Sequence, residues 1–341
     1  MPVNNNKATN QSRRDFLIKG SLASLGLALT GPNAWTKPSF FTANRNSKYA
    51  GVQIGVITYS FRSMPADAAQ LLQYIKESGI TAIELMGDVV EEFAGKPVNL
   101  VKMPPRTPGQ PPKITDEQKA QLSAYEKTVA DWRSAVSMDK FAELKKMYNK
   151  TGVDIYAFKP NALNSNNTDA EIEYAMKAAK ALGARSVTVE LPVDPAHSKR
   201  LGDLGLKQKM YIGYHAHTQA TDTAWDVALS QSPYNSMNLD CGHYIAAGGN
   251  NTKETLLALI EAKHDRITSL HIKDRKTKAN GGVNMPWGQG DTPIKEILTL
   301  LKEKQYAIPA TIELEYDIPA GSDAVKETKN CLVFAKNILG A

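Results

Sequence analysis

Residues 268–275 read TSLHIKDR, and this stretch combines the pattern of a buried strand with a burst of polar groups. Side chains alternate between the two faces of a strand, so that Leu270 and Ile272 share one face while His271 and Lys273 share the other. An apolar face packed on helices, opposite a face with imidazole and charge, is typical of a parallel strand that opens into an active site. The solvated end of an edge strand would show the same residues, and the rest of the chain has to distinguish the two.

Runs rich in β-branched and aromatic residues alternate with helical patterns from Gly51 onward. Such alternation indicates βα units around a parallel sheet. The predicted strands are residues 52–61, 81–86, 153–160, 186–191, 210–217, 236–241, 268–275 and 309–316. Eight strands with helices between them favour an α/β fold of the closed (β/α)8 barrel type. An open doubly wound sheet is the alternative, but no glycine-rich nucleotide loop follows the first strand.

Residues 88–137 interrupt this alternation. Their centre, residues 103–112, contains five prolines, which remove backbone donors and fix φ, so regular structure is not expected there. We expect an excursion over the barrel mouth that includes a helix at about residues 115–129. The sequence therefore predicts a single barrel domain over residues 49–341, with a loop insertion at about 88–137.

The first 48 residues stand outside the barrel pattern. They carry the motif S-R-R-D-F-L at 12–17 and then a mildly apolar run at 21–30. Twin arginines before a short apolar region are typical of a twin-arginine export signal. The run is shorter than the roughly 20 residues of a spanning helix, and no cysteine directly follows it to carry a lipid. We therefore expect a twin-arginine leader and linker at 1–48, and a periplasmic protein without a stable membrane anchor.

The net charge of the chain resides in this leader. Residues 1–48 hold seven basic residues and one acidic residue, which equals the formal net charge of +6 of the whole chain. The remaining residues carry equal numbers of basic and acidic side chains. A nucleic-acid-binding domain would show a basic surplus, so no nucleic-acid partner is expected.

Cys241 and Cys331 are the two cysteines of the chain. Cys241 falls in a predicted strand on the face opposite Asp240, and we expect both thiols to be buried small apolar groups and not a disulfide.

Polar side chains gather at the carboxyl ends of the predicted strands. They are Glu190, His215, His217, Asp240, His271, Glu313 and Glu315. Active sites of (β/α)8 enzymes are built at that end from several strands. Carboxylates aimed into one space raise each other's pKa unless a cation joins them. A mixed oxygen and nitrogen set suits Mn²⁺, Zn²⁺, Fe²⁺ or Co²⁺, and suits Mg²⁺ less. A buried ion-pair network without metal is the alternative.

These segments resemble the xylose isomerase-like TIM barrels, the sugar phosphate isomerase/epimerase group. The resemblance covers roughly residues 52–339 and is carried by Y-H-A-H at 214–217, L-D-C-G-H at 239–243, L-H-I-K-D at 270–274, G-Q-G-D at 288–291 and I-E at 312–313. It implies a divalent metal, with manganese as the first expectation and zinc, cobalt, iron or magnesium as alternatives. The implied metal ligands are Glu190, Asp240, His271 and Glu313.

Three positions depart from the family pattern or leave the ligand set open. Ala216 replaces the usual asparagine between the two histidines. Glu315 is an alternative to Glu313 as a ligand, and family branches differ in whether the position of His215 is a ligand.

The resemblance implies a sugar isomerase or epimerase. A metal that binds a carbonyl and the adjacent hydroxyl stabilises the enediolate formed when the neighbouring carbon loses its proton. Glu190 and Glu313 are the expected catalytic acid and base. The expected substrate-binding residues are His215, His217, His243, Lys273, Glu84 and Glu315. Arg275 is expected either to bind a carboxylate or to form a surface pair.

Because periplasmic sugars are mostly not phosphorylated, the expected substrate is a small non-phosphorylated sugar. A lyase, dehydratase or hydrolase acting on keto-sugars or glycosides is the alternative at the same site. A phosphodiesterase and a non-catalytic sugar-binding barrel are the competing classes. The sequence leaves a homo-oligomer open.

Overall fold

The computed structural model describes residues 47–104 and 114–341. Residues 1–46 of the predicted leader and the centre of the predicted insertion lie outside this range.

Eleven strands occur in the described part of the chain. They are Lys48–Tyr49 (β1), Val52–Ile57 (β2), Ala82–Met86 (β3), Asp154–Lys159 (β4), Ser186–Glu190 (β5), Tyr211–His215 (β6), Asn235–Asp240 (β7), Ile267–Ile272 (β8), Asp274–Arg275 (β9), Asn284–Met285 (β10) and Ala310–Ile312 (β11). Eight of these, β2 to β8 and β11, pair in parallel with their neighbours. Strand β2 pairs with both β11 and β3, which closes the sheet. The predicted (β/α)8 barrel is confirmed, and the open doubly wound sheet is wrong.

Helices follow the barrel strands and cover the outside of the sheet. They are Ala68–Glu77 (α1), Gly87–Phe93 (α2), Asp116–Ala135 (α3), Asp139–Lys150 (α4), Asp169–Leu182 (α5), Pro195–Gln208 (α6), Asp226–Gln231 (α7), Cys241–Ala247 (α8), Lys253–Lys263 (α9), Ile294–Lys304 (α10) and Ala324–Leu339 (α11). None of the helices in residues 47–104 and 114–341 is both long and apolar enough to cross a membrane.

Local sequence sets the ends of these helices. In α5 the Thr168 hydroxyl accepts from the amide of Glu171, and the Glu171 carboxylate accepts from the amide of Thr168. This reciprocal capping satisfies amides that have no partner within the helix. The helix ends at Gly183, whose φ of 85° is a left-handed conformation that glycine adopts without strain. Its buried face, which includes Ile172 and Ala175, packs towards the barrel.

The two sides of the barrel wall differ in chemistry. Outward side chains such as Ile54, Val56 and Leu85 join the main apolar core under the helices. Each fully buried side chain of this size stabilises the fold by about 1.5–3 kcal/mol. Inside the barrel, the Tyr156 hydroxyl lies 2.6 Å from the Thr311 hydroxyl. The polar face of the strands thus points to the barrel axis.

Several predicted strands are shorter than the patterns indicated. Residues 58–61 form a 3-10 turn beyond β2, and β11 ends at Ile312, so that Glu313 and Glu315 lie in the loop after it. The opening stretch is divided, because β8 ends at Ile272 and β9 pairs with β10 as a separate hairpin. Pattern and propensity indicate that a strand exists, but they do not fix the residue at which it ends.

One local expectation was wrong. Cys241 is the first residue of α8 and not a strand residue, because the Asp240 carboxylate accepts from the amide of His243 and caps the helix. In the region of the predicted insertion, α3 agrees with the helix expected at about residues 115–129, and α2 is an additional helix before residues 105–113. The expected buried, unpaired state of Cys241 and Cys331 is confirmed.

Candidate active site

Six buried polar side chains, carried by five barrel strands or the residues directly after them, converge at the carboxyl end of the barrel. They are Glu84, His215, Asp240, His271, Lys273 and Glu313. Strand register brings them together, since Asp240 is aligned with His271 on the neighbouring strand and His271 is aligned with Thr311. Asp240, His271 and Thr311 therefore lie in one layer across the barrel mouth.

His271 lies between two carboxylates. Its Nε2 is 2.8 Å from Oε2 of Glu84, and its Nδ1 is 3.1 Å from Oε2 of Glu313. Burial alone lowers the pKa of His271, but these two carboxylates outweigh it and raise the pKa to about 10. The His271 imidazolium in turn holds the pKa of Glu84 below its usual value, against the opposing effect of burial. In this arrangement His271 is a buried cation at neutral pH.

Lys273 supplies a second buried cation. Its Nζ lies 3.0 Å from Oδ2 of Asp240, 2.8 Å from Oε2 of Glu313 and 2.6 Å from Oε2 of Glu315. Burial opposes the charge, but the three carboxylates raise the pKa of Lys273 above its ordinary value. The ammonium group also lies 3.1 Å from Nε2 of His243. Lys273 thus joins side chains from β7, α8 and the loop after β11.

The two central carboxylates respond differently to these surroundings. Burial raises the pKa of Asp240 to about 7, and the ammonium group of Lys273 offsets this only in part. For Glu313, Lys273 and His271 outweigh burial and hold the pKa well below its usual range. Glu313 is therefore the more firmly ionised of the pair. Carboxylates with contrasting pKa values in one site are suited to acid–base chemistry.

His243 and Arg275 extend this cluster. Nδ1 of His243 accepts from the Arg275 guanidinium, which also donates to the carbonyl of Gly282. Burial, and then Lys273, lower the pKa of His243 to about 2, so the ring is neutral. Within the described residues, Arg275 contacts His243 and Gly282 and does not form the expected surface pair. In this structure Arg275 orients His243.

Glu190 lies apart from the buried cluster. Its Oε1 is 2.9 Å from Nζ of Lys159, and its Oε2 is 3.5 Å from Nδ1 of His217. The side chain is 48 % exposed, and His217 is half-exposed beside it. A cavity of about 310 Å³ adjoins Glu190 and is also lined by Asn164, Leu191 and His197. The structure thus brings Asp240, His271 and Glu313 into contact but places Glu190 at the rim.

The sequence analysis did not identify two residues of this site, Asn238 and Lys159. Asn238 donates to Oε2 of Glu84 at 3.1 Å and accepts from Nδ1 of His215 at 3.0 Å. Asn238 lies two residues before Asp240 in β7 and therefore points to the same face of the strand, which is the signal that could have identified it. Lys159 ends β4, and Glu190 raises its pKa against the effect of burial. Its position at a strand end was the available signal.

The donor set fits a divalent metal at its buried end. Nδ1 of His271 lies 3.1 Å from Oε2 of Glu313 and 3.9 Å from Oδ2 of Asp240. Ligands about 2.1 Å from one ion come to such separations. Oδ2 of Asp240 accepts no hydrogen bond from the described residues, although an ammonium group lies beside it. His215, Asp240 and His271 also offer donor atoms within 4.8 Å of one another.

The loop after β8 is fixed by a carboxylate. Asp274 accepts from the amides of Gly288 and Gly290 at 2.8 Å each, and from that of Thr292 at 3.1 Å. Because Asp274 directly follows Lys273, these bonds also fix the backbone from which the lysine extends.

A larger cavity of about 620 Å³ lies beside α3, and none of the predicted site residues lines it. Arg133, Glu91 and Glu171 form a buried ion-pair network in its wall. It is a structural network that joins the insertion to α5.

Comparison with known proteins places the chain in a family. Residues 72–332 match the family model described as the xylose isomerase-like TIM barrel. No match was found among curated proteins.

Solved structures share the fold at low identity. A sugar phosphate isomerase/epimerase from Parabacteroides distasonis ATCC 8503 is 16 % identical with a TM-score of 0.53, over 87 % of this chain and 97 % of that one. The 3-keto-D-glucoside 4-epimerase from E. coli is 12 % identical with a TM-score of 0.55, over 84 % and 99 %. The D-psicose 3-epimerase from Clostridium cellulolyticum H10 is 13 % identical with a TM-score of 0.55, over 84 % and 98 %. With the barrel, its polar mouth and the family match together, the chain belongs to the xylose isomerase-like TIM barrel family.

Proposed function

We propose that the chain is a sugar isomerase or epimerase that moves a proton at the carbon next to a carbonyl, with the help of a divalent metal. The observation that carries this proposal is the pair Glu190 and Glu313. They lie at the ends of the fourth and eighth barrel strands, which face each other across the barrel. One carboxylate adjoins a cavity and the other is buried and held ionised.

Glu190 is suited to remove the proton. Its half-exposed carboxylate is reached from the cavity, whereas Lys159 and His217 hold its orientation. A carboxylate on the other side of the substrate is needed to return the proton to the opposite face of the carbon, and we assign this role to Glu313, which follows the opposite barrel strand. If one carboxylate both removes and returns the proton, the reaction is an isomerisation on one face of the substrate. If one carboxylate removes the proton and the other returns it, the reaction is an epimerisation.

The buried end of the site is suited to stabilise negative charge. The ammonium group of Lys273 lies 2.8 Å from Oε2 of Glu313, and Nδ1 of His271 lies 3.1 Å from the same oxygen. A divalent metal held by Asp240, Glu313 and the neutral form of His271 would supply positive charge where the substrate oxygen becomes negative. Manganese is the first candidate, because a mixed carboxylate and imidazole set accepts it. His243, oriented by Arg275, presents a neutral ring to substrate hydroxyl groups.

The charges at the mouth favour a sugar without phosphate. Lys159 is paired with Glu190, and Lys273 is paired with three carboxylates. Arg275 is used by His243 and Gly282. A phosphate group binds best to cations that are not already compensated. We further propose that residues 1–48 export the folded protein to the periplasm by the twin-arginine pathway.

Solvent exchange tests the proposal. The purified chain, supplied with Mn²⁺, is incubated in D2O with a panel of non-phosphorylated ketoses and keto-glycosides, and deuterium next to the carbonyl is followed by NMR. We expect incorporation with at least one sugar, and a loss of at least about 100-fold for Glu190→Gln, since general base catalysis contributes 10²–10⁴-fold. Glu173→Gln on α5, where the carboxylate pairs with Lys207, should leave the rate unchanged.

Two outcomes would refute it. One is the absence of exchange with every sugar of the panel. The other is wild-type exchange in Glu190→Gln. Product release without deuterium incorporation would instead favour a hydrolase.

A further inference from the structure

The cation at the centre of the buried carboxylates belongs to the chain itself. Lys273 is 2 % exposed, and its Nζ contacts Asp240, Glu313 and Glu315 within 3.0 Å. An ammonium group has three N–H donors, and here three carboxylates surround it. A lysine is rarely buried to this degree unless such partners compensate its charge.

Gly242 leaves the space that this lysine needs. A Cβ atom at residue 242 would lie 2.3 Å from Cγ of Lys273 and 2.8 Å from its carbonyl oxygen. Any larger side chain would therefore expel the lysine stem from its path. The glycine of the L-D-C-G-H segment and the lysine of the L-H-I-K-D segment thus form one structural device, which brings the ammonium group under the barrel mouth.

The ammonium group uses the same oxygen atoms that a divalent metal would use. Its nearest contacts include Oδ2 of Asp240 and Oε2 of Glu313, the two carboxylate oxygens that also face Nδ1 of His271. Two cations cannot share these oxygens at bonding distance without strong mutual repulsion. Glu315, by contrast, contacts Lys273 and lies 3.7 Å from Nε2 of His243. It is available to retain the lysine when the other two carboxylates bind metal.

We propose that Lys273 is a displaceable internal cation that competes with the divalent metal for Asp240 and Glu313, with Glu315 as its alternative partner. This inference rests on the metal of the proposed function. The lysine stabilises the buried carboxylates before metal binds, and it weakens the metal affinity because it must first be displaced. It therefore sets how readily the site is loaded.

Titration of the metal-stripped full chain with MnCl2 by calorimetry tests the competition. Lys273→Met keeps the length of the side chain and removes its charge. We expect at least about tenfold tighter Mn²⁺ binding than in the wild type, because the variant lacks the buried ammonium group that competes with the metal for the carboxylate oxygens. The metal-free variant should melt at a lower temperature than the wild type, and Mn²⁺ should raise its melting temperature more. Lys96→Met is the matched control, because Lys96 is a largely buried lysine 3.4 Å from Glu91 outside the site, and its Mn²⁺ affinity should equal that of the wild type.

Glu315→Gln provides a second test that does not remove the lysine. It weakens the hold of the 2.6 Å contact on Lys273, yet leaves Asp240, His271 and Glu313 intact. If Glu315 serves the lysine, the ammonium group pairs more firmly with Asp240 and Glu313, and Mn²⁺ binds more weakly, opposite in sign to Lys273→Met. When Glu315→Gln is combined with Lys273→Met, the lysine that Glu315 would bind is absent. The double variant should therefore have the same Mn²⁺ affinity as Lys273→Met.

Unchanged or weaker Mn²⁺ affinity in Lys273→Met overturns the inference, as does a loss of affinity on Glu315→Gln that persists in the double variant, because that result would make Glu315 a ligand. Neither outcome bears on the proposed function, which the exchange of deuterium by the wild type tests separately.

Discussion

Replacing Asp274 by asparagine should detach the loop that carries residues 288–292. In the wild type, Oδ2 accepts from the amides of Gly288 and Gly290 at 2.8 Å, and Oδ1 accepts from the amide of Thr292 at 3.1 Å. Hydrogen bonds to a charged group contribute about 1.5–3 kcal/mol each, against about 1 kcal/mol for neutral pairs. The residue is 3 % exposed, so water does not replace lost bonds.

The size of the effect follows from what asparagine keeps. Its carbonyl oxygen can accept from Gly288 and Gly290 as a neutral group, while its NH2 group meets the amide of Thr292, a donor facing a donor. Burial raises the pKa of Asp274, and the amide donors offset this only in part. The amides therefore stabilise the charged carboxylate only moderately, and we use the lower end of the range of about 1.5–3 kcal/mol for each hydrogen bond. We expect a loss of about 2–3 kcal/mol in the free energy of unfolding.

Urea unfolding of the full chain, followed by tryptophan fluorescence, measures this loss. Trp287 lies in the same loop and packs against Phe334 at 6.0 Å between ring centroids. In Asp274→Asn, hydrogen exchange at the amides of Gly288 and Gly290 should also be faster than in the wild type. Asp291→Asn is the matched control.

The control changes the same chemical group nearby. Asp291 accepts from the amide of Thr277 and from the side chain of Asn280, but its side chain is 25 % exposed. Its substitution should cost no more than about 1 kcal/mol. The reasoning is refuted if Asp274→Asn costs less than Asp291→Asn and leaves the exchange rates of the loop amides unchanged.

Two further outcomes follow from packing and from charge. Gly55→Ala should lower the free energy of unfolding by about 1–3 kcal/mol, because the new methyl group would lie 2.7 Å from Oη of Tyr156; an unchanged thermal midpoint would contradict this packing. Glu171→Gln should lose more stability near neutral pH than in acid. Burial raises the pKa of Glu171, but the amide of Thr168 and then Arg133 outweigh this effect and hold the pKa below 4.5. The contribution of the Glu171 carboxylate to the free energy of unfolding is therefore present above pH 4.5 and is lost as the pH falls through the lowered pKa. Urea unfolding of both proteins across that range measures the difference, and a difference that stays constant with pH would contradict it.

The alternation of strands and helices determined the barrel, because periods of 2 and 3.6 residues are local properties that a sequence shows directly. Strand parity likewise placed Glu84, Asp240 and His271 on the inner face, and the same rule applied to Asn238 would have found that residue. The capping of α5 by Thr168 and Glu171 is also written locally in the sequence.

The pairing of the charges was decided only by the tertiary structure. Glu84 and His271 are 187 residues apart and meet only because both lie inside the closed barrel. Glu313 and Glu315 lie beyond the end of β11, where strand parity no longer fixes a direction. The positions of Lys273 among three carboxylates and of Glu190 at the rim depend on side-chain conformation and on loop hydrogen bonds. These are non-local contacts, and a periodic pattern along the chain does not encode them.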